Sequence, residues 1–236
     1  MRGVGLIATM GVVFALGVAS SAGAQQQHST EWRTKPAKER YRGAASRDAA
    51  MELAAYSRCV ANLRYDKARS LVLSPYASSQ QAAAARQVIQ RGNDDCMTDS
   101  SFGEARLGFA PEILAGGVAQ VLVLKDYPDL PAMIGSYQWD AKAEAARSAQ
   151  LNAAEIFGRC VVHRDSAAAL ALFSSQPASQ NERVAIDRLR DDLGQCLAPG
   201  STIKINGMFL RNAAGVAAYR LGQQIQPRGR KASASR

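Results

Sequence analysis

Histidine is almost missing from this chain: 236 residues hold two, His28 and His163. That scarcity excludes a histidine-rich metal site and leaves a serine–histidine triad without a dependable base. Close cysteine pairs of the C-x-x-C kind are also missing, so no zinc site is expected. No G-x-S-x-G, H-E-x-x-H, phosphate-binding loop or G-x-G-x-x-G occurs, which removes the hydrolase nucleophile turn and the nucleotide cradles; no cofactor is expected. Aromatics are 6% of the residues while apolar types reach 47%, much of that alanine. Such a composition favours closely packed helices over a β-sandwich. Beyond the first segment no run is long and apolar enough to span a bilayer; the best candidate, 110–124, is interrupted by Glu112 and Gln120.

What the chain does have is a repeat. Arg58-Cys59-Val60 returns 101 positions on as Arg159-Cys160-Val161, and Cys96 returns 100 positions on as Cys196. Ala115-Gly116-Gly117-Val118-Ala119 returns as Ala213-Ala214-Gly215-Val216-Ala217, a shift of 98. The four cysteines therefore sort into one pair per copy. Four cysteines allow three connectivities. Duplication favours Cys59–Cys96 and Cys160–Cys196, because each ancestral copy must have closed its own bridge. Closing loops of 37 and 36 steps stabilises by about 3.5–4 kcal/mol each in the chain-entropy account.

Bridges need an oxidising compartment, and the first segment supplies the route. Arg2 is a positive start, 4–18 is a nearly unbroken apolar run, and Ala22-Gly23-Ala24 is a small-x-small cleavage site. Residues 1–24 are thus expected to be a signal peptide, with Gln25 as the new N-terminus of a periplasmic or secreted protein. No cysteine lies near the cut to carry a lipid. Residues 25–45 are polar and aperiodic, a predicted disordered linker, and 227–236 form a predicted disordered basic tail.

Between these ends the pattern predicts a mainly α fold: two tandem disulfide-tied helical repeats, 46–124 and 139–226, packed as one compact body around a bridging segment, 125–138. Tyr56, Val60 and Leu63 share one helical face. First helices are expected over Asp48–Leu63 and Asp140–Val162, and second helices over Asp66–Leu73 and Asp165–Phe173, each opened by a capping aspartate. Third helices follow over Ser79–Arg91 and Ser179–Leu193, with Ser179 and Glu182 in a capping-box pattern. The alternation in Glu104–Ala110 and Ser201–Ile205 admits a short strand per repeat. Fourth helices begin at Pro111 and near Met208, and their glycines, 116, 117 and 215, place them at the centre, where the copies meet. Pro128 and Pro131 speak against a regular helix in the bridge.

The duplicated pattern resembles a group of exported bacterial proteins with a duplicated two-cysteine helical unit, over most of the second copy and more weakly over the first. The resemblance rests on Arg159-Cys160-Val161, on Cys196-Leu197 followed by Gly200, and on Leu210-Arg211 leading to Gly215-Val216-Ala217-Ala218-Tyr219. It implies export and the helical fold, and brings no established activity and no site.

The formal net charge of +9 sits at the ends: between Ala49 and Gln226 there are 18 basic and 17 acidic residues. A nearly neutral folded part argues against nucleic acid as partner. Basic ends suit an anionic envelope component or an acidic envelope protein. Candidate site residues are few. Arg58 and Arg159 directly precede the first cysteines and are expected either to pair with a carboxylate of their own copy, Asp95 or Asp192, or to meet an anionic ligand. His163 has Asp165 nearby as an orienting acid, although the first copy has Asn62 there. Asp94, Asp95, Asp99, Glu104 and Glu112 are the carboxylates from which a hydrolase or lytic site acting on envelope polymers would have to be drawn. A redox factor would need one bridge to be exposed and easily reduced. The expected function is a non-enzymatic binding or interaction protein of the cell envelope, with the carboxylate-dependent enzyme as the alternative.

Overall fold

Two helices are buried nearly all round, and that puts them in the middle. The computed structural model describes residues 44–89, 95–96, 110–197 and 205–226. Among them α4 (Pro111–Asp126) is buried at nearly every position from Leu114 to Val123, and α10 (Gly207–Ile225) from Leu210 to Gly222. α4, apolar nearly all round, has to be covered all round, and the buried polar residues of α10 find partners inside. The two pack on each other more extensively than any other pair. Small residues set the distance: a methyl on Gly116 would fall on the Cβ of Asn212.

The remaining helices wrap this pair. In the first copy they are α1 (Ala44–Leu63), α2 (Tyr65–Leu73) and α3 (Ser79–Val88). In the second they are α7 (Ala153–Arg164), α8 (Ser166–Ser174) and α9 (Gln180–Gln195). α1 lies on α4, with Ser57 against Gly117, and α7 lies on α10, with Gly158 against the carbonyl of Ala213. The repeat is thus three-dimensional as well as sequential. It extends to the turns before α3 and α9, where Ala77 and Ala178 both take left-handed φ, 55° and 59°. In each, the alanine N–H is held by a side chain four residues on: Gln81 accepts at 2.9 Å and Glu182 at 2.5 Å.

Cys59–Cys96 and Cys160–Cys196 are both formed, each with a Cα–Cα distance of 5.5 Å. Each staple ties the first helix of a copy to the segment after its third. There is no strand among the described residues; the expected strand segments, residues 104–109 and 201–204, lie outside them, as do the proposed leader, most of the linker and the tail. No described helix is long and apolar enough to cross a membrane.

Four expectations need correction. The bridge contains a helix, α5 (Leu130–Ser136), because Pro131 sits in its first turn, where a missing N–H costs nothing. The first helix of the second copy is broken in two, α6 (Ala141–Ser148) and α7. The Asn152 side chain accepts from Glu155 N, and Glu155 accepts from Asn152 N, a complete capping box that restarts the helix. Asp165 caps α8, but Asp66 stands inside the first turn of α2 and caps nothing. Ser179 caps α9, yet Glu182 turns to the N–H of Ala178 instead of returning to Ser179.

Candidate functional site

Positions 47, 50, 51, 54 and 58 of α1 fall at i, i+3, i+4, i+7 and i+11, one helical face. That face is the wall of a cleft. The floor is α4, at Gly117, Gln120, Val121 and Leu124; the far side is the end of α8 and its following turn, with Phe173 and Pro177; one end is the start of α10, with Asn206 and Met208. Its volume is about 870 Å³, within the range of about 300–1,000 Å³ typical of small-molecule sites. Met51, Leu53, Val121, Leu124, Phe173 and Met208 make the lining largely apolar. Gln176 reaches across the cleft, donating to the Met51 sulfur at 3.9 Å.

Arg211 is the polar centre of the floor. It is 6% exposed, yet every face of the guanidinium has a partner. Nε donates to Gln120 at 3.0 Å, Nη1 to Glu182 and to the Ser175 hydroxyl at 3.0 Å each, and Nη2 to the Ser175 carbonyl at 2.7 Å. Burial pushes its pKa down, and the Glu182 charge works against that fall. Gln120 passes its amide protons to the Gly116 carbonyl and the Asn212 side chain. The Arg211–Glu182 pair is electrically closed, so the charge left to the cleft comes from Arg47 and Arg58, both exposed.

The two arginines singled out by the repeat have different fates. Arg159 donates through Nε and Nη2 to Glu144 on α6, at 3.0 and 2.5 Å, and through Nη2 to Gln224 on α10 at 2.7 Å. Its guanidinium carbon lies 5.9 Å from the centre of the Trp139 ring. The pairing expected with Asp192 is therefore not made: Asp192 accepts from Arg164 at 2.7 Å instead. Arg58 makes no ion pair with Asp95 either. Asp95 is exposed beside the Cys59–Cys96 bridge, and Arg58 faces the cleft with no hydrogen-bonding partner among the described residues.

Of the other candidates, His163 and Asp165 make structural contacts. His163 stands edge-on to Trp139, with ring centres 4.3 Å apart, Asp165 accepts from the Ala168 N–H at 2.8 Å as the cap of α8, and no hydrogen bond joins the two. Glu112 lies in the first turn of α4; Asp94, Asp99 and Glu104 fall outside the described residues. No group of three His, Cys, Asp or Glu suited to a metal ion occurs among the described residues. A second polar cluster, where Tyr65 and Tyr219 both donate to Asp126 at 2.7 and 3.0 Å, ties α2, α4 and α10 together. Burial, then the Asp126 charge, pushes the Tyr219 hydroxyl far above the usual phenol range.

No family model, no curated protein and no solved structure matches the chain. The arrangement itself is what bears on function. Sequence reasoning singled out Arg58 and missed Arg211, Gln120, Met51 and Met208. One signal was available: Arg211 and Asn212 interrupt an apolar run from Met208 to Ala218, and charge in such a run marks a buried polar contact.

Proposed function

We propose that this is an exported, non-enzymatic binding protein of the cell envelope, and that its ligand occupies the cleft under α1. The observation that carries the reading is the cleft's inventory. Of the described residues lining it, Glu182 is the one acid, and it is bound by Arg211. Catalysis by paired carboxylates needs two acids across a gap of several ångströms. What lines this cleft instead is apolar surface with two unneutralised cations, the chemistry of recognition. Two disulfides and the leader-like first segment support export, as does the resemblance of the second copy to exported two-cysteine proteins.

The test is native mass spectrometry of the protein captured from its own envelope fraction, with and without Ala54→Trp, which fills the cleft from a half-exposed position on α1. The expected result is an N-terminus at Gln25 and a small non-covalent adduct that Ala54→Trp removes. Absence of an adduct, or one held equally by the filled variant, overturns the cleft as the binding site.

A further inference from the structure

Arg58 and Arg159 hold the same place in the two copies, and only one of them has a partner among the described residues. In the second copy the partner is known: a carboxylate, Glu144, bound through two guanidinium nitrogens at 3.0 and 2.5 Å, with an aromatic ring, Trp139, beneath. The first copy presents the same guanidinium to a cleft of about 870 Å³. The α1 face below it carries Ala54, Met51 and Ala50, and ends three helical turns away, about 16 Å along the axis, at Arg47. The α1 wall is therefore long, apolar between its ends and positive at both, and Gln176, which crosses to Met51, has to swing aside for a ligand to lie along it. The cleft's single acid is neutralised, so nothing in the described lining offsets that charge.

We infer that the cleft takes a single-chain anionic amphiphile, one acyl chain ending in a carboxylate or phosphate head, with the head on Arg58. The inference rests on the cleft being the ligand site and adds the class of ligand. The head does for Arg58 what Glu144 does for Arg159, where Nε and Nη2 converge on one carboxylate oxygen: it completes a charge-assisted pair through two guanidinium donors. The chain lies along Met51, Leu53, Leu124 and Met208, and unbranched methionines suit a flexible apolar guest because they repack at small cost. A fully hydrophilic anion leaves the apolar walls bare, and an uncharged lipid leaves Arg58 unpaired. One apolar stretch of the α1 wall runs between the two arginines, the place for one chain.

The experiment uses the oxidised chain from Gln25 onward and isothermal titration with four probes. Myristate and myristoyl lysophosphatidylglycerol carry the two kinds of head. Monomyristoylglycerol has the chain without charge, and inorganic phosphate has charge without a chain. Myristate, the lysophospholipid or both bind with one-to-one stoichiometry, and which of them binds names the head. Arg58→Gln weakens that binding about tenfold or more, the loss of a charge-assisted pair, with the melting temperature unchanged because the side chain is exposed. Ala54→Trp abolishes it. The neutral lipid and phosphate bind far more weakly than the anionic amphiphile. The inference is overturned if the neutral lipid binds as tightly as the anions, if Arg58→Gln has no effect, or if no probe binds. In those cases an envelope adduct lost in Ala54→Trp still upholds the cleft as a site for another class of ligand. Anion binding that Ala54→Trp leaves intact overturns both.

Discussion

At the scale of single residues, Arg211 decides whether the cleft has a floor. A buried guanidinium is tolerable only when each of its nitrogens has a partner, as here, and the desolvation of both charges consumes most of the attraction between them. The asymmetry lies in what happens when one partner goes. Arg211→Met leaves Glu182, at 12% side-chain exposure, without its cation, and leaves the Ser175 carbonyl without its donor. The expected loss is about 3–5 kcal/mol in urea unfolding. Arg211→Met with Glu182→Gln removes both charges together and should recover a good part of that loss. If the single and double variants were equally unstable, the pair would matter for its shape alone. Arg220, further along the same helix, plays a related part in the first copy. It donates to the Val72 carbonyl at 3.0 Å and to the Ser74 carbonyl, closing the end of α2 as Arg211 closes the end of α8. Free carbonyls at a helix end need such partners. α10 thus supplies the arginine that seals the second helix of each copy.

At the scale of elements, α6 shows how a connection becomes part of the structure. It has no buried residue of its own. Its hold on the body runs through Glu144, which accepts from Arg147, Arg159 and Gln224. Burial raises the pKa of Glu144, but the hydrogen bonds from Arg159 and Gln224, with the Arg159 charge, outweigh it and leave the carboxyl below its ordinary value of 4.5. A depressed carboxylate pKa stabilises the folded chain fully above the unfolded value, and the contribution is lost as pH falls through the folded one. Acidification should therefore release α6 before the core opens. Trp139, edge-on to Tyr137 and His163 and close to the Arg159 guanidinium, reports it. In a chain carrying Trp32→Phe, its emission should shift red on the acid side of the glutamate range. In Glu144→Gln that step should disappear, with stability at neutral pH lower by about 1–2 kcal/mol. An identical acid step in Glu144→Gln would remove Glu144 as its cause. The break between α6 and α7 was legible in Asn152-x-x-Glu155, yet the alanine-rich periodicity running from Asp140 to Val162 masked it. Periodicity reports which side of a helix is apolar and is indifferent to where the helix restarts. The central position of α4 and α10 was legible from repeated glycine, because close approach leaves a composition signal. The cleft was not, since α1, α4, the α8–α9 turn and α10 each contribute a few ordinary residues whose meeting is tertiary.

At the scale of the whole molecule, the two staples and the central pair do different work. Each disulfide closes a loop inside one copy, so neither bridge holds the copies together. What does is α10, which belongs to the second copy by sequence and to both by contact. Asn212 fills the space beside Gly116, Tyr219 donates to Asp126, Gln223 accepts from Arg69 at 2.6 Å, and Arg220 seals α2. Removing the second copy strips α4 of its main cover and exposes a helix whose circumference is almost wholly apolar. A repeat unit that leaves its apolar face bare gains too little burial to offset the ordering of its chain. Fragments 25–128 and 129–236, each with its bridge intact, should therefore lack a cooperative thermal transition when alone. Mixed in equal amounts they should regain helical circular dichroism and one shared transition, because the α4–α10 contact needs no covalent link. The intact oxidised chain should likewise melt in a single step seen by both far-ultraviolet dichroism and tryptophan emission. A half that melted cooperatively by itself would mean that the ancestral unit still folds without its twin, and the cleft, whose walls come from both copies, would then be a junction between two independent domains.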